Sequence, residues 1–209
     1  MGYKEIDFEA AVEGDLLEAG YLRGEAADFD ASLALIPKDL FAFIAATQPE
    51  LWAQLRKNHP TGLESGLLDA LTKKLNDRGT LEVLRHGFKF YGKRIATAFF
   101  RPAHGLNPDL ETKYAANRLV ITRQVKFNPD GEDSVDMMVS LNGLPIATLE
   151  LKNSLTGQTV QHALKQYQYD RDPKLPLFWF KKRALVHFAV DTDLVYMTTK
   201  LARKGTYFL

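Results

Sequence analysis

The chain has 209 residues, 45% of them hydrophobic and 25% charged, with 27 Lys and Arg against 26 Asp and Glu and no cysteine. That length is enough to bury one substantial core, and the missing cysteines exclude disulfides and thiolate metal sites. No apolar run of about 18 residues and no basic-then-apolar leader is present, so a membrane span and a secretory signal are not expected. The expectation is a cytoplasmic globular protein. Its net charge of +1 hides an asymmetry: residues 1–84 carry 15 acids and 8 bases, leaving 11 acids and 19 bases for residues 85–209. Either the basic part faces a polyanion or the two parts neutralise each other where they meet.

In chain order, residues 4–19 mix Ile6, Phe8, Val12, Leu16 and Leu17 with acids at near-helical spacing and end at Gly20. Asp30-Ala-Ser reads as the start of a short helix before Pro37. Pro37 and Pro49 each begin a helical run. Their apolar residues Phe41, Phe43, Ile44, Trp52 and Leu55 fit packing, or docking of a partner. Residues 62–84 form one long amphipathic helix or two in sequence, with Leu63, Leu67, Leu68, Leu71 and Leu75 on one side. From Leu84 to Phe100 the pattern turns to strands, and Pro102, Gly105 and Pro108 mark 101–113 as loop. Leu119–Phe127 is a strand. Asn128–Asp133 turns into a hairpin, and Thr159–Asp170 reads as a helix. Leu185–Val190 and Leu194–Thr199 are two more strands.

The hairpin, Ser134 to Lys152, carries the chemistry. Two apolar strands flank Asn142-Gly143, a strong short-range turn signal. Asp136 interrupts the first strand, and Glu150 and Lys152 the second. Charges inside apolar strands are costly unless paired or bound to metal. Two carboxylates about 4.5 Å apart repel by roughly 4 kcal/mol at an effective dielectric near 20. A divalent cation removes that penalty, and oxygen ligands suit Mg²⁺. Register limits the idea. A plain two-residue turn pairs Leu141 with Leu144 and places Asp136 opposite Leu149, with Glu150 on the other face. A shared metal therefore requires a three-residue loop, or a bulge or strong bend near Asp136.

Competing motifs are weaker. Glu111-Thr-Lys113 and Asp172-Pro-Lys174 repeat the acid-x-Lys spacing without a carboxylate strand beside them. The five histidines lack zinc-ligand spacing, and no Gly-x-Ser-x-Gly elbow exists. Gly87–Arg94 matches a P-loop until Arg94 replaces the Ser or Thr that would hold Mg²⁺, and its aromatic interior reads as strand. Its Lys89, Lys93 and Arg94 are candidate contacts to a phosphate backbone, or the solvated face of a strand. Beyond the hairpin, Gln158, Gln161, Lys165 and Gln168 fall near one helical face, suited either to positioning DNA or to plain exposure.

Asn142-Gly-Leu-Pro-Ile-Ala-Thr-Leu-Glu-Leu-Lys-Asn153 followed by Gln166-Tyr-Gln-Tyr-Asp-Arg-Asp-Pro173 resembles the N-terminal nuclease domain of type I restriction enzyme R (motor) subunits. Asn117-Arg118, Arg123-Gln124 and Val186–Asp191 extend the likeness. The resemblance implies an α/β, restriction-endonuclease-like core over 61–209, a mixed central sheet flanked by helices, after a helical N-terminal extension over 1–60. It implies a fragment of a longer chain with helicase motor domains. It places the family's Asp…Glu-x-Lys signature on Asp136, Glu150 and Lys152, with Asp136, Glu150 and the Leu151 carbonyl holding Mg²⁺. It offers Glu9 as an accessory acid, with Glu5 and Glu64 as alternatives. The family's Gln-x-x-x-Tyr spacing is missing, so that role passes to Gln166 and Tyr167. Lys165 and Arg171 join the candidate DNA contacts. The implied partners are double-stranded DNA and the methyltransferase and specificity subunits, with ATP consumed by the full enzyme. Rival readings are a DNA-binding or docking module, and a stand-alone repair nuclease.

Overall fold

The computed structural model of the protein describes residues 5–153 and 157–209, with side chains from residue 7 onward. The acidic N-terminal run forms helix α1 (Glu5–Glu18) and is followed by a short strand, β1 (Leu22–Arg23). Asp30 does not start a helix. Its backbone bridges Leu35, and its carboxylate accepts the Ser32 and Leu33 amides at 2.9 and 3.0 Å. An aspartate that binds its own downstream amides closes a turn instead. Pro37 and Pro49 open α2 (Pro37–Thr47) and α3 (Pro49–Asn58). The amphipathic run divides at Gly79 into α4 (Leu63–Arg78) and α5 (Thr80–His86). Gly79 has φ +87, and a Cβ there would lie 2.5 Å from the Lys181 carbonyl oxygen. Only glycine allows the helix to end against that segment.

The near match to a P-loop is an antiparallel ribbon of β2 (Phe88–Phe90) and β3 (Lys93–Ile95). Pro108 lies in a helix, not a loop: it occupies the first turn of α6 (Pro108–Ala115), and the Asn107 side chain caps it by accepting the Leu110 amide. Proline at the first position with asparagine before it signals a helix start as well as a turn. The remaining strands are β4 (Leu119–Lys126), β5 (Ser134–Leu141) and β6 (Leu144–Leu151), then β7 (Val186–Val190) and β8 (Val195–Thr198) after the crossover helix α7 (Val160–Lys165). The helix expected to run to Asp170 ends at Lys165 and widens into a π turn over Gln166–Asp170.

The sheet has six strands in the order β1-β4-β5-β6-β7-β8. Pairing is antiparallel from β4 to β6 and between β7 and β8, and parallel for β1 with β4 and β6 with β7. One cluster packs Phe8, Val12, Leu16 and Leu17 of α1 against Ile121, Met137, Val139 and Leu151. A second packs Val160, Ala163 and Tyr167 against Val125, Phe127, Val135 and Met138. Helices α2 to α5 close over the hairpin's turn end, where Leu144 joins their leucines and phenylalanines. The fold is thus a mixed sheet flanked by helices, as expected. The far end of β6 meets the start of the α7 crossover.

Candidate active site

The hairpin solves its parity problem in an unanticipated place. The turn is the plain two-residue kind, with Leu141 opposite Leu144 and φ of +52 and +84 at Asn142 and Gly143. Positive φ at both centres matches the twist of the strands. Ser140 then faces Pro145 while Val139 faces Ala147, so Ile146 is an extra residue bulged out of β6. Proline has no N–H for the ladder, which makes its neighbourhood a natural bulge. Met137 consequently faces Leu149, a parity that puts Asp136 and Glu150 on the same face of the sheet. A second distortion lies beside Asp136: the β4–β5 ladder skips Gln124 and Asp136, and Gln124 has φ +50.

The three signature residues therefore converge. Asp136 Oδ2 accepts the Leu151 amide at 2.7 Å and lies 3.7 Å from Lys152 Nζ. An extended residue projects its N–H and C=O to the same side, so the Leu151 carbonyl leaves β6 on the edge that its amide turns to Asp136. Glu150 is fully buried. Its Oε1 accepts from Arg171 Nε at 2.6 Å, whereas its Oε2 has no hydrogen-bond partner. Burial pushes the Glu150 carboxyl up to about 8 against the pull of Arg171. Charged groups withdrawn from water favour their neutral form unless compensated.

A buried carboxylate oxygen without a donor is expensive and calls for a proton or a cation. The donor set is wholly hard oxygen: the Asp136 carboxylate, Glu150 Oε2 and the Leu151 carbonyl. That chemistry fits Mg²⁺. Among the described residues no group of three or more Asp, Glu, His or Cys stands ready for a metal. Two acids and a carbonyl are what the hairpin supplies.

Other predicted residues divide between sites. Lys165 and Gln166 line an open cleft of about 560 Å³ with Lys152, Gln158, His162 and Asp170. Gln166 Oε1 is buried without a partner. Tyr167 is fully buried, and its hydroxyl lies 2.9 Å from Thr148 Oγ1, which also bonds His187 Nδ1 at 2.8 Å. Burial leaves that tyrosine a packing and anchoring role and pushes His187 down to about 4, hence neutral. Glu9 is held by Arg123 at 2.9 Å and by Gln124 at 2.9 Å, on the strand next to Asp136. Glu64 is exposed in the first turn of α4, and the Glu5 side chain lies outside the described residues.

Arg171, a candidate DNA contact in the sequence, is 5% exposed and turns its guanidinium inward to Glu150 at 2.6 Å. Lys89 and Arg94 line a different cleft with Lys73 and Lys74, which shares no residue with the Lys152 cleft, and Lys93 is exposed on the same ribbon. The sequence reading missed Asp191, whose carboxylate accepts the Val160 amide at 2.7 Å and so pins the start of α7 beside Lys152. Its place at the end of Val186–Asp191, directly after an apolar strand, was the signal that could have found it.

Compared with known proteins, residues 44–206 match the model of the family described as Type I restriction enzyme R protein N terminus. No curated protein matches the chain.

Proposed function

Because the chain belongs to the Type I restriction enzyme R protein N terminus family, we propose that its hairpin hydrolyses phosphodiester bonds of double-stranded DNA with Mg²⁺, without sequence specificity of its own. The observation that carries the reading is the convergence of Lys152, Asp136 and the unpartnered Glu150 oxygen at one end of β6. Asp136, Glu150 Oε2 and the Leu151 carbonyl would hold the ion, which supplies Lewis acidity toward the phosphoryl oxygen and a more acidic water. Lys152 would orient the attacking water, take part in its deprotonation, and stabilise charge gathering on the phosphorus oxygens. Lys165 and Gln166, in the same cleft, position the strand. Sequence choice falls to the specificity and methyltransferase subunits of a restriction complex, and ATP-driven translocation precedes cutting.

Lys152→Ala is the test. It leaves the fold and metal binding in place and abolishes nicking by the assembled enzyme; full cleavage by that variant would end the assignment. A second reading, a DNA-binding or subunit-docking module whose hairpin charges only pair, is favoured by the Arg171–Glu150 bond. Calorimetry with Mn²⁺ separates the two, since only a metal site produces binding heat that disappears in Asp136→Asn.

A further inference from the structure

We propose that Arg171 is the positioning residue of this site: it locks one oxygen of Glu150 so that the other is presented, unpaired, to the cation. The inference rests on the metal-dependent nuclease reading above and assigns a role to a residue outside the Asp…Glu-x-Lys signature.

Three contacts hold the guanidinium. Nε donates to Glu150 Oε1 at 2.6 Å, Nη2 donates to the Ser134 carbonyl at 2.9 Å, and the group lies 5.1 Å from the centre of the Phe127 ring. Ser134 begins β5 and Glu150 sits near the end of β6. Arg171 thus ties the two strands that carry the acids. The backbone that delivers it is itself unusual: the Arg171 amide donates back to the Gln166 carbonyl at 3.0 Å, closing the five-residue π turn. Such widened turns cluster at functional sites. A planar fork with a stacked face loses little freedom on binding and cannot swing as an ammonium can.

This arrangement explains the asymmetry of Glu150. With Oε1 committed to Arg171, the carboxylate has one orientation, and Oε2 is the buried oxygen left over. Arg171 is also the strongest influence favouring the charged carboxylate against burial. It does not touch substrate or ion; it acts through Glu150, as hydrogen-bonding partners behind metal ligands generally do.

The experiment is Mn²⁺ titration of the 209-residue chain, followed by calorimetry and by the electron-paramagnetic-resonance signal of the free ion, for wild type, Arg171→Gln, Arg171→Lys and Asp136→Asn. Thermal melts of each are recorded alongside. Arg171→Gln is expected to weaken Mn²⁺ binding about 10- to 100-fold while a folded melt persists. Arg171→Lys, which keeps the charge but loses the fork, falls between it and wild type. Unchanged affinity in a folded Arg171→Gln overturns the proposal. Should that variant not fold, Arg171→Lys decides: wild-type affinity with a lowered melting temperature makes the arginine structural only. Wild-type chain whose Mn²⁺ binding is absent, or indifferent to Asp136→Asn, instead overturns the nuclease reading beneath it.

Discussion

Asn142→Ala isolates what the turn contributes. Asn142 is fully buried, with φ +52. Its Oδ1 accepts the Arg118 amide at 2.7 Å, and its Nδ2 donates to the Thr97 carbonyl at 2.9 Å and to Asn117 Oδ1 at 2.9 Å. Alanine strands two of these partners, since Asn117 Oδ1 still accepts from the Phe99 amide. Each stranded buried group costs about 1–2 kcal/mol. Holding alanine in a left-handed conformation costs roughly 1 kcal/mol more. The expected loss is therefore about 3–5 kcal/mol in urea unfolding, or on the order of 10 °C in melting temperature for a chain of this size. Asn142→Gly removes the same bonds without the conformational cost and should recover about 1 kcal/mol. A loss under about 1 kcal/mol for alanine, less than one stranded group should cost, would show that the hairpin keeps its register without this anchor, and the reasoning that makes Asn142 its hub would fail.

Glu150→Gln tests the electrostatics in chelator. The folded carboxyl titrates near 8 against an ordinary 4.5. Between those values the unfolded chain releases the proton that the folded chain keeps, so rising pH favours unfolding. Wild type should lose stability relative to Glu150→Gln by about 1.4 kcal/mol per pH unit across that window and remain parallel to it outside; a difference flat from about pH 5 to 8 would mean Arg171 keeps Glu150 ionised throughout. Arg183→Met probes a buried cation that no carboxylate pairs with among the described residues. Its guanidinium donates to Leu33 O at 2.7 Å and Asn76 Oδ1 at 3.0 Å, and burial lowers it to about 10. Stranding those acceptors should cost about 2–4 kcal/mol by denaturant melts, and a neutral result would show that water replaces the arginine.

Much of the fold was legible because its signals are local. Apolar alternation marks β4 to β8, Asn142-Gly143 marks the hairpin, and the leucines at 63, 67, 71 and 75 mark α4. The misreadings at Asp30 and Pro108 share a cause: a capping residue and a turn residue are the same chemistry, and only the path of the next few residues distinguishes them. The sequence by itself determined which residues carry charge into the hairpin strands, since that is written position by position. Whether those charges meet depended on parity, and parity was decided by a one-residue bulge at Ile146 that no periodicity announces. The tertiary structure alone brought Arg171 back from beyond a π turn to Glu150, because a contact across 21 residues of chain depends on how the crossover packs and not on any pattern within it.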